Sequence, residues 1–335
     1  MRQTKTRSVA ENKPLGVIDV VSAGLDLVRR RPWTLIVPVL LDALIWVLPR
    51  ISLTPLFRPY ANEMLAATAL SSDPQAAEEA RRTIQQTLES FNLLGLLATA
   101  LNAVTRVPSL LGVDTSDVHS PISALAYSVP LQSAALLFLL FVPFFLLGLF
   151  AVAIYLEWIA QGVRPLEASA RGAWLLRAAR LWLRLILFSL LLIGFVFAAG
   201  LVLIVLESIF SSPELAALIT LAFTVGLFWL FIYFFFVPSA LAVSNIGILE
   251  SLRRSTLLFR AFFWSTLALV ALSVFLDRGL AIIWNGLTVS VLGIAVAIVA
   301  NAYIGTSLIA ASMVYYQDRF NLFERLRASA KVMKK

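Results

Sequence analysis

The chain has 335 residues, 60% of them hydrophobic and 14% charged, with a formal net charge of +8 and a mean hydropathy of +0.89. That composition lies well outside the soluble range and describes an integral membrane protein. The lack of cysteine excludes disulfides and thiolate metal sites, and one histidine, His119, leaves little for histidine-based catalysis.

Residues 1–14, MRQTKTRSVAENKP, are polar and basic, and no short apolar core with a small-residue cleavage site follows. They read as a disordered cytoplasmic tail with no cleaved signal peptide. Over residues 17–31, Ile18, Val21, Leu25 and Val28 fall at helical spacing, with Asp19, Asp26, Arg29 and Arg30 on the remaining surface. The pattern predicts an amphipathic helix lying in the cytoplasmic interface. Residues 32–49 then carry a single charge, Asp42, and are just long enough for a first membrane helix.

Residues 58–128 break the pattern as an external helical insert of net charge −3. Ser72-Asp73-Pro74 starts a helix there, and Ala77, Ala80, Ile84, Leu88 and Phe91 form its stripe. Leu93–Val104 is apolar but only 12 residues long, so it is expected to lie on the membrane or pack on the insert rather than span. Asp114, Asp117 and His119 could hold a metal; a solvated turn accounts for them better, because no fourth ligand is evident. The second membrane helix is expected over about 131–156, with Pro143 as a kink.

A third span follows over 182–206, a turn at Glu207–Glu214, and a fourth span over 215–238 ending near Pro238. The fifth, 262–284, carries Asp277 and Arg278. The sixth, 287–314, places Gly293, Ala297, Asn301 and Gly305 at a spacing that allows close helix approach.

One pattern recurs along the chain: an acid, an arginine ten residues later, then tryptophan at the edge of a membrane-length run. Asp19, Arg29 and Trp33 form the first copy; Glu167, Arg177 and Trp182 the second; Glu250, Arg260 and Trp264 the third. Copies one and three align at 231 residues, and two and three at 83 with the tryptophan one place late. The tail NLFERLRASA repeats the start of the third copy 74 residues on, as a truncated fourth. The fold class expected is therefore all-α and polytopic: about six transmembrane helices in three units, each an interfacial helix plus a transmembrane hairpin. The units are 15–164 including the insert, 165–245 and 246–316, with a basic tail over 317–335. Even span numbers make the copies parallel and related about the membrane normal.

Segments 1–31, 157–184, 244–261 and 317–335 hold 21 basic residues against 8 acids, a balance of +13; the remainder holds 6 against 11, or −5. The positive-inside rule then puts both termini in the cytoplasm of a multi-pass cell-membrane protein and the insert outside. The basic charge thus points to anionic phospholipid rather than nucleic acid. Arg171, Arg180, Arg253 and Arg254 are the headgroup candidates. The repeat also has a purely structural reading, in which acid and arginine complement the helix dipole and tryptophan marks the headgroup level.

Of the deep charges Asp42, Asp277 and Arg278, Asp42 and Arg278 are close enough in depth to pair. The competing reading has Asp42 protonated or bonded to a hydroxyl or to Asn301.

The run at 237–272, with Glu250, Arg254, Ser255, Phe263 and Trp264, and YYQDR at 315–319, resembles the membrane domain of bacterial glycerophosphodiester phosphodiesterases and related stand-alone multi-pass proteins. The resemblance implies a six-helix membrane domain and covers about a third of the chain. That enzyme's catalytic barrel is not present in the sequence, so its activity does not carry over. No Walker loop, HExxH helix or GxSxG elbow occurs. The functional expectation is a non-enzymatic, cofactor-free membrane protein that organises or binds lipids or a membrane-protein partner. The alternative is a transporter or channel using Asp42, Asp277 and Arg278.

Overall fold

The computed structural model describes residues 14–68, 74–109, 128–164, 174–209, 212–287 and 290–332. The fold is all-α, about 89% helical, with five helices among the described residues long and apolar enough to cross a membrane. They are α6 (Ala134–Val163), α7 (Trp174–Ile209), α8 (Pro213–Phe234) continued by α9 (Val237–Ser244), α11 (Phe263–Leu287) and α12 (Val291–Val332). The fourth span was expected to end near Pro238, yet the chain turns briefly at Phe235 and Phe236 and resumes as α9. Proline lacks the N–H that would have continued the ladder but fits the first turn of a new helix.

The expected first span takes a different form. A short 3-10 turn over Pro32–Leu35 leads into α2 (Ile36–Val47), only 12 residues long. At 1.5 Å per residue α2 reaches about 18 Å and the 3-10 turn adds about 8 Å, together still short of a hydrocarbon core of about 30 Å. Pro32 and Pro49 bracket the segment, and neither can sit inside an uninterrupted helix without losing a hydrogen bond.

Beyond α2, β1 (Ile51–Ser52) pairs in parallel with β2 (Val129–Pro130), and Ser52 bridges to Asn92. This small clasp ties the two ends of the insert together. Inside it α3 (Thr54–Thr68) packs on α4 (Pro74–Ser90), which starts at the predicted proline. Asn92 then caps α5 (Leu93–Thr105), its side-chain oxygen accepting from the Gly95 N–H at 2.7 Å.

α5 packs against α6 rather than on the insert helices α3 and α4. Leu93, Leu97, Leu101 and Val104 are buried in the main core against α6. Gly148 of α6 makes this approach possible, because a Cβ there would meet Leu101 Cδ1 at 2.7 Å. Length argues only about crossing, not about which neighbours a short apolar helix packs on. Its chain reverses at Arg106, which has left-handed backbone at φ 59, and Pro108 then presses on Gly305 of α12.

α6, α9 and α12 touch one another pairwise and form the inner core. Tyr155, Phe236, Tyr315 and Tyr316 are fully buried there, with Phe236 and Tyr315 stacked at 5.4 Å. The α7–α8 hairpin instead leaves Leu190, Phe197, Leu218 and Phe228 exposed, an apolar surface suited to lipid.

α1 (Val17–Arg30) and α10 (Ile248–Ala261) are each 14 residues long. Each follows a glycine in extended conformation, Gly16 or Gly247, and ends at a residue with φ near −130°, Arg31 or Phe262. The buried faces are Val20, Gly24, Leu27 and Val28 in α1, and Ser251, Ser255, Leu258 and Phe259 in α10. Those positions are 231 residues apart one for one. The stripes expected from sequence are rotated relative to these faces, so that Ile18 is 80% exposed and Leu249 81%. Serine and glycine took the buried positions because the contact is backbone-close.

The partners correspond too. α1 packs along α12, where a Cβ on Gly24 would lie 2.3 Å from the Ser307 carbonyl oxygen. α10 packs on α8 and α9, where the Ser255 hydroxyl donates to the Tyr233 carbonyl at 2.6 Å. Ser307 and Tyr233 are 74 residues apart, the offset between Glu324 and Glu250.

Copy two departs from this pattern. Residues 165–173 lie outside the described set, and Arg177, Arg180 and Trp182 sit in the uninterrupted helix α7 with no break between them. Ala178, Ala179, Arg180 and Leu181 favour helix at the place where copy one has Pro32. The tail also runs on as α12 without forming a separate fourth helix.

Candidate functional site

The described parts of the basic segments meet at one end of the bundle, opposite the β1–β2 clasp at the other end of α6. The Leu15 N–H donates to Asp318 Oδ2 at 3.3 Å, and Arg319 donates to the Leu15 carbonyl at 2.8 Å. Arg184 donates to Asn245 Oδ1 at 2.6 Å, and Arg254 lies over the Phe320 ring at 4.1 Å.

At the centre of this end is Glu157, 1% exposed near the end of α6. Arg164 grips its carboxylate from two nitrogens at 2.9 and 2.8 Å, and Arg177 Nε donates to it at 2.8 Å. Arg164 also donates to the Val243 carbonyl at 3.1 Å and to the Ala242 carbonyl, so it caps the C-terminus of α9. One carboxylate shared by two guanidiniums leaves the group net positive. Sequence reasoning missed Glu157 and Arg164. The available signal was two opposite charges seven residues apart, which is two turns and therefore one helix face.

Between α1, α6 and α12 lies a cavity of about 410 Å³ lined by Asp26, Arg30, Arg31, Leu27, Gly162 and Val314, among others. Arg29 pairs with Asp26 at 2.9 Å, both well exposed. The guanidiniums at this end have the charge and fork geometry that hold anions.

The repeat residues divide by role. Asp19 accepts from the Gly16 N–H at 3.1 Å at the start of α1. Glu250 accepts from Arg254 Nε at 2.8 Å, and that hydrogen bond holds the Glu250 carboxyl below its ordinary value. Arg260 is exposed, and Trp33 and Trp264 face outward. Trp182 does not. Its indole N–H donates to the Leu146 carbonyl at 2.9 Å and its ring meets Phe150 edge-on at 5.6 Å, so it ties α7 to α6. Among the headgroup candidates, Arg180 and Arg253 are exposed, whereas Arg254 is occupied by Glu250 and Phe320. Glu167 and Arg171, like Asp114, Asp117 and His119, lie outside the described residues.

Of the deep charges, Asp42 is fully buried and accepts from the Ser109 hydroxyl at 2.7 Å. Asp277 is exposed on α11 and is the carboxylate whose field reaches Arg106. Arg278 belongs to α11, and its side chain is outside what the structure describes. Arg106 was not singled out from sequence, yet it reaches the inner helices, 3.6 Å over the Phe235 ring and 3.5 Å from Ser312 Oγ. Nearby, Tyr155 donates to Thr306 at 3.0 Å, and Ser239 and Ser312 bond at 3.0 Å. These hydroxyl side chains are essentially unexposed and bonded to one another, so protein fills the space between the inner helices there.

Among the described residues, no three His, Cys, Asp or Glu side chains gather as a metal site. No family model, curated protein or solved structure matches this chain.

Proposed function

We propose that the protein is a non-enzymatic, multi-pass membrane protein whose arginine-rich end holds anionic lipid headgroups at the cytoplasmic face. The observation that carries this reading is the excess of guanidinium at one end of the bundle. Glu157 is consumed by Arg164 and Arg177, while Arg30, Arg180 and Arg253 remain outward and Arg30 and Arg31 line a cavity. Each basic residue near an anionic leaflet contributes on the order of 1 kcal/mol. Both ends of the described chain lie on this side, in keeping with the cytoplasmic placement of the termini.

The scaffold proposed for this surface is a ring of three units. α10 packs on the last helix of unit two, α7 packs on the last helix of unit one, and α1 packs on α12 to close the ring. The short α2 makes unit one the irregular member. Residues 237–272, which carry the resemblance to the phosphodiesterase membrane domain, supply α9, α10 and the start of α11 in this arrangement.

A lipid-exchange assay in nanodiscs tests the reading. Arg30→Gln with Arg31→Gln is expected to weaken retention of phosphatidylglycerol, whereas Arg81→Gln with Arg82→Gln on α4 leaves it unchanged. Equal effects of the two pairs would reject it. The alternative, a transporter or channel using Asp42, Asp277 and Arg278, would instead require an open path between the inner helices.

A further inference from the structure

At the opposite end from the arginines, α2, α5 and α6 enclose a cavity of about 370 Å³, within the range of small-molecule sites. Leu41, Leu44, Leu97, Leu101, Phe144 and Leu147 form much of its wall. Ser109 is the one polar side chain lining it, and its hydroxyl is turned onto Asp42. The gap has a cause in the chain: α2 stops at Val47, and Leu48, Pro49 and Ile51 line the cavity beyond it, where no helix continues beside α5 and α6. On the rim, Leu44, Phe144 and Leu147 are at least half exposed and continue into the outward-facing Phe138 and Leu139 of α6.

We propose that this cavity is a binding site for one acyl chain of a bilayer lipid. Water does not suit it, since a buried water needs two to four polar partners and the wall offers one hydroxyl already engaged. Vacancy is unfavourable, because lining atoms facing a void lose their dispersion contacts. The molecule at hand along an apolar rim inside the bilayer is hydrocarbon. The site is independent of the headgroup reading: Gly148 on its wall is 14 residues from Gly162 at the arginine end, about 21 Å along α6.

The test uses the full chain in nanodiscs of zwitterionic phosphatidylcholine carrying a diazirine midway along one acyl chain, with adducts mapped by peptide mass spectrometry. Adducts are expected on 93–101 and 144–151 at about tenfold the frequency on the exposed α7–α8 hairpin, a preference of about 1.4 kcal/mol. Ala151→Phe, which fills the wall, reduces those adducts to the hairpin level and leaves the hairpin unchanged. Should that variant fail to fold, Leu147→Trp at the exposed rim is read in the same way. Uniform labelling of every outward apolar surface, absence of adducts on 93–101 and 144–151, or adducts unaffected by both substitutions would each overturn the proposal. Because no anionic lipid is present, loss of the headgroup site does not change the result.

Discussion

Among the described residues, Glu157 is the carboxylate that Arg164 and Arg177 share, and Glu157→Gln removes it. Their side chains are 8% and 12% exposed, so the substitution leaves two nearly buried cations facing a neutral amide. Removing one partner of a buried ion pair costs about 3 to 5 kcal/mol. Arg177→Gln should cost less, about 1.5 to 3 kcal/mol for a charged hydrogen bond, because the two-nitrogen contact of Arg164 survives. Arg164→Gln should exceed Arg177→Gln, since it also uncaps the Ala242 and Val243 carbonyls. Reversible unfolding in mixed micelles, followed by tryptophan fluorescence, gives all three values. The double variant Glu157→Gln with Arg177→Gln should lose less than the sum of its parts. A Glu157→Gln protein within about 0.5 kcal/mol of the parent would refute the buried-triad argument.

Gly24→Ala should destabilise the protein by about 1 to 3 kcal/mol through overpacking against the Ser307 carbonyl, whereas Gly200→Ala, with open space at its Cβ, should be neutral or slightly stabilising. Gly305→Ala should displace Pro108 and expose the Arg106 turn to proteolysis, measured as a faster limited digest. The Glu250 carboxyl is held low by Arg254, so its contribution to α10 is fully present above its ordinary value of 4.5 and is lost as pH falls through the lowered one. A titration of helix content in micelles from pH 7 to 2 should show an acid loss that Glu250→Gln abolishes. Membrane-impermeant thiol reagent applied from outside should label a cysteine at Gln85 on α4 and spare one at Ser329 on α12; the reverse order would invert the topology.

Much of the fold was legible because long apolar runs without charge leave helices as the only way to satisfy the backbone in lipid. Asp19 and Glu250 lie in the first turns of α1 and α10, where the helix dipole favours an acid. The faces that pack on the bundle were not legible, because close helix contact selects Gly24, Ser251 and Ser255 rather than the most apolar positions. The insertion of α5 was not legible, because a 13-residue apolar helix reads alike on a surface or in a core. Within the candidate site, Arg253 and Arg180 were found from charge alone, but the sharing of Glu157 depends on α6, α7 and α9 meeting. That is a long-range fact with no local signature.

Selection of anionic lipid by the arginine end, as proposed above, is open to mass spectrometry of the lipids retained by the protein extracted straight into native nanodiscs. Anionic phospholipid should be enriched over the surrounding membrane, and the enrichment should fall on replacing Arg30, Arg31 and Arg253 with glutamine. A retained lipid profile equal to that of the bulk membrane, unchanged by those substitutions, would contradict it.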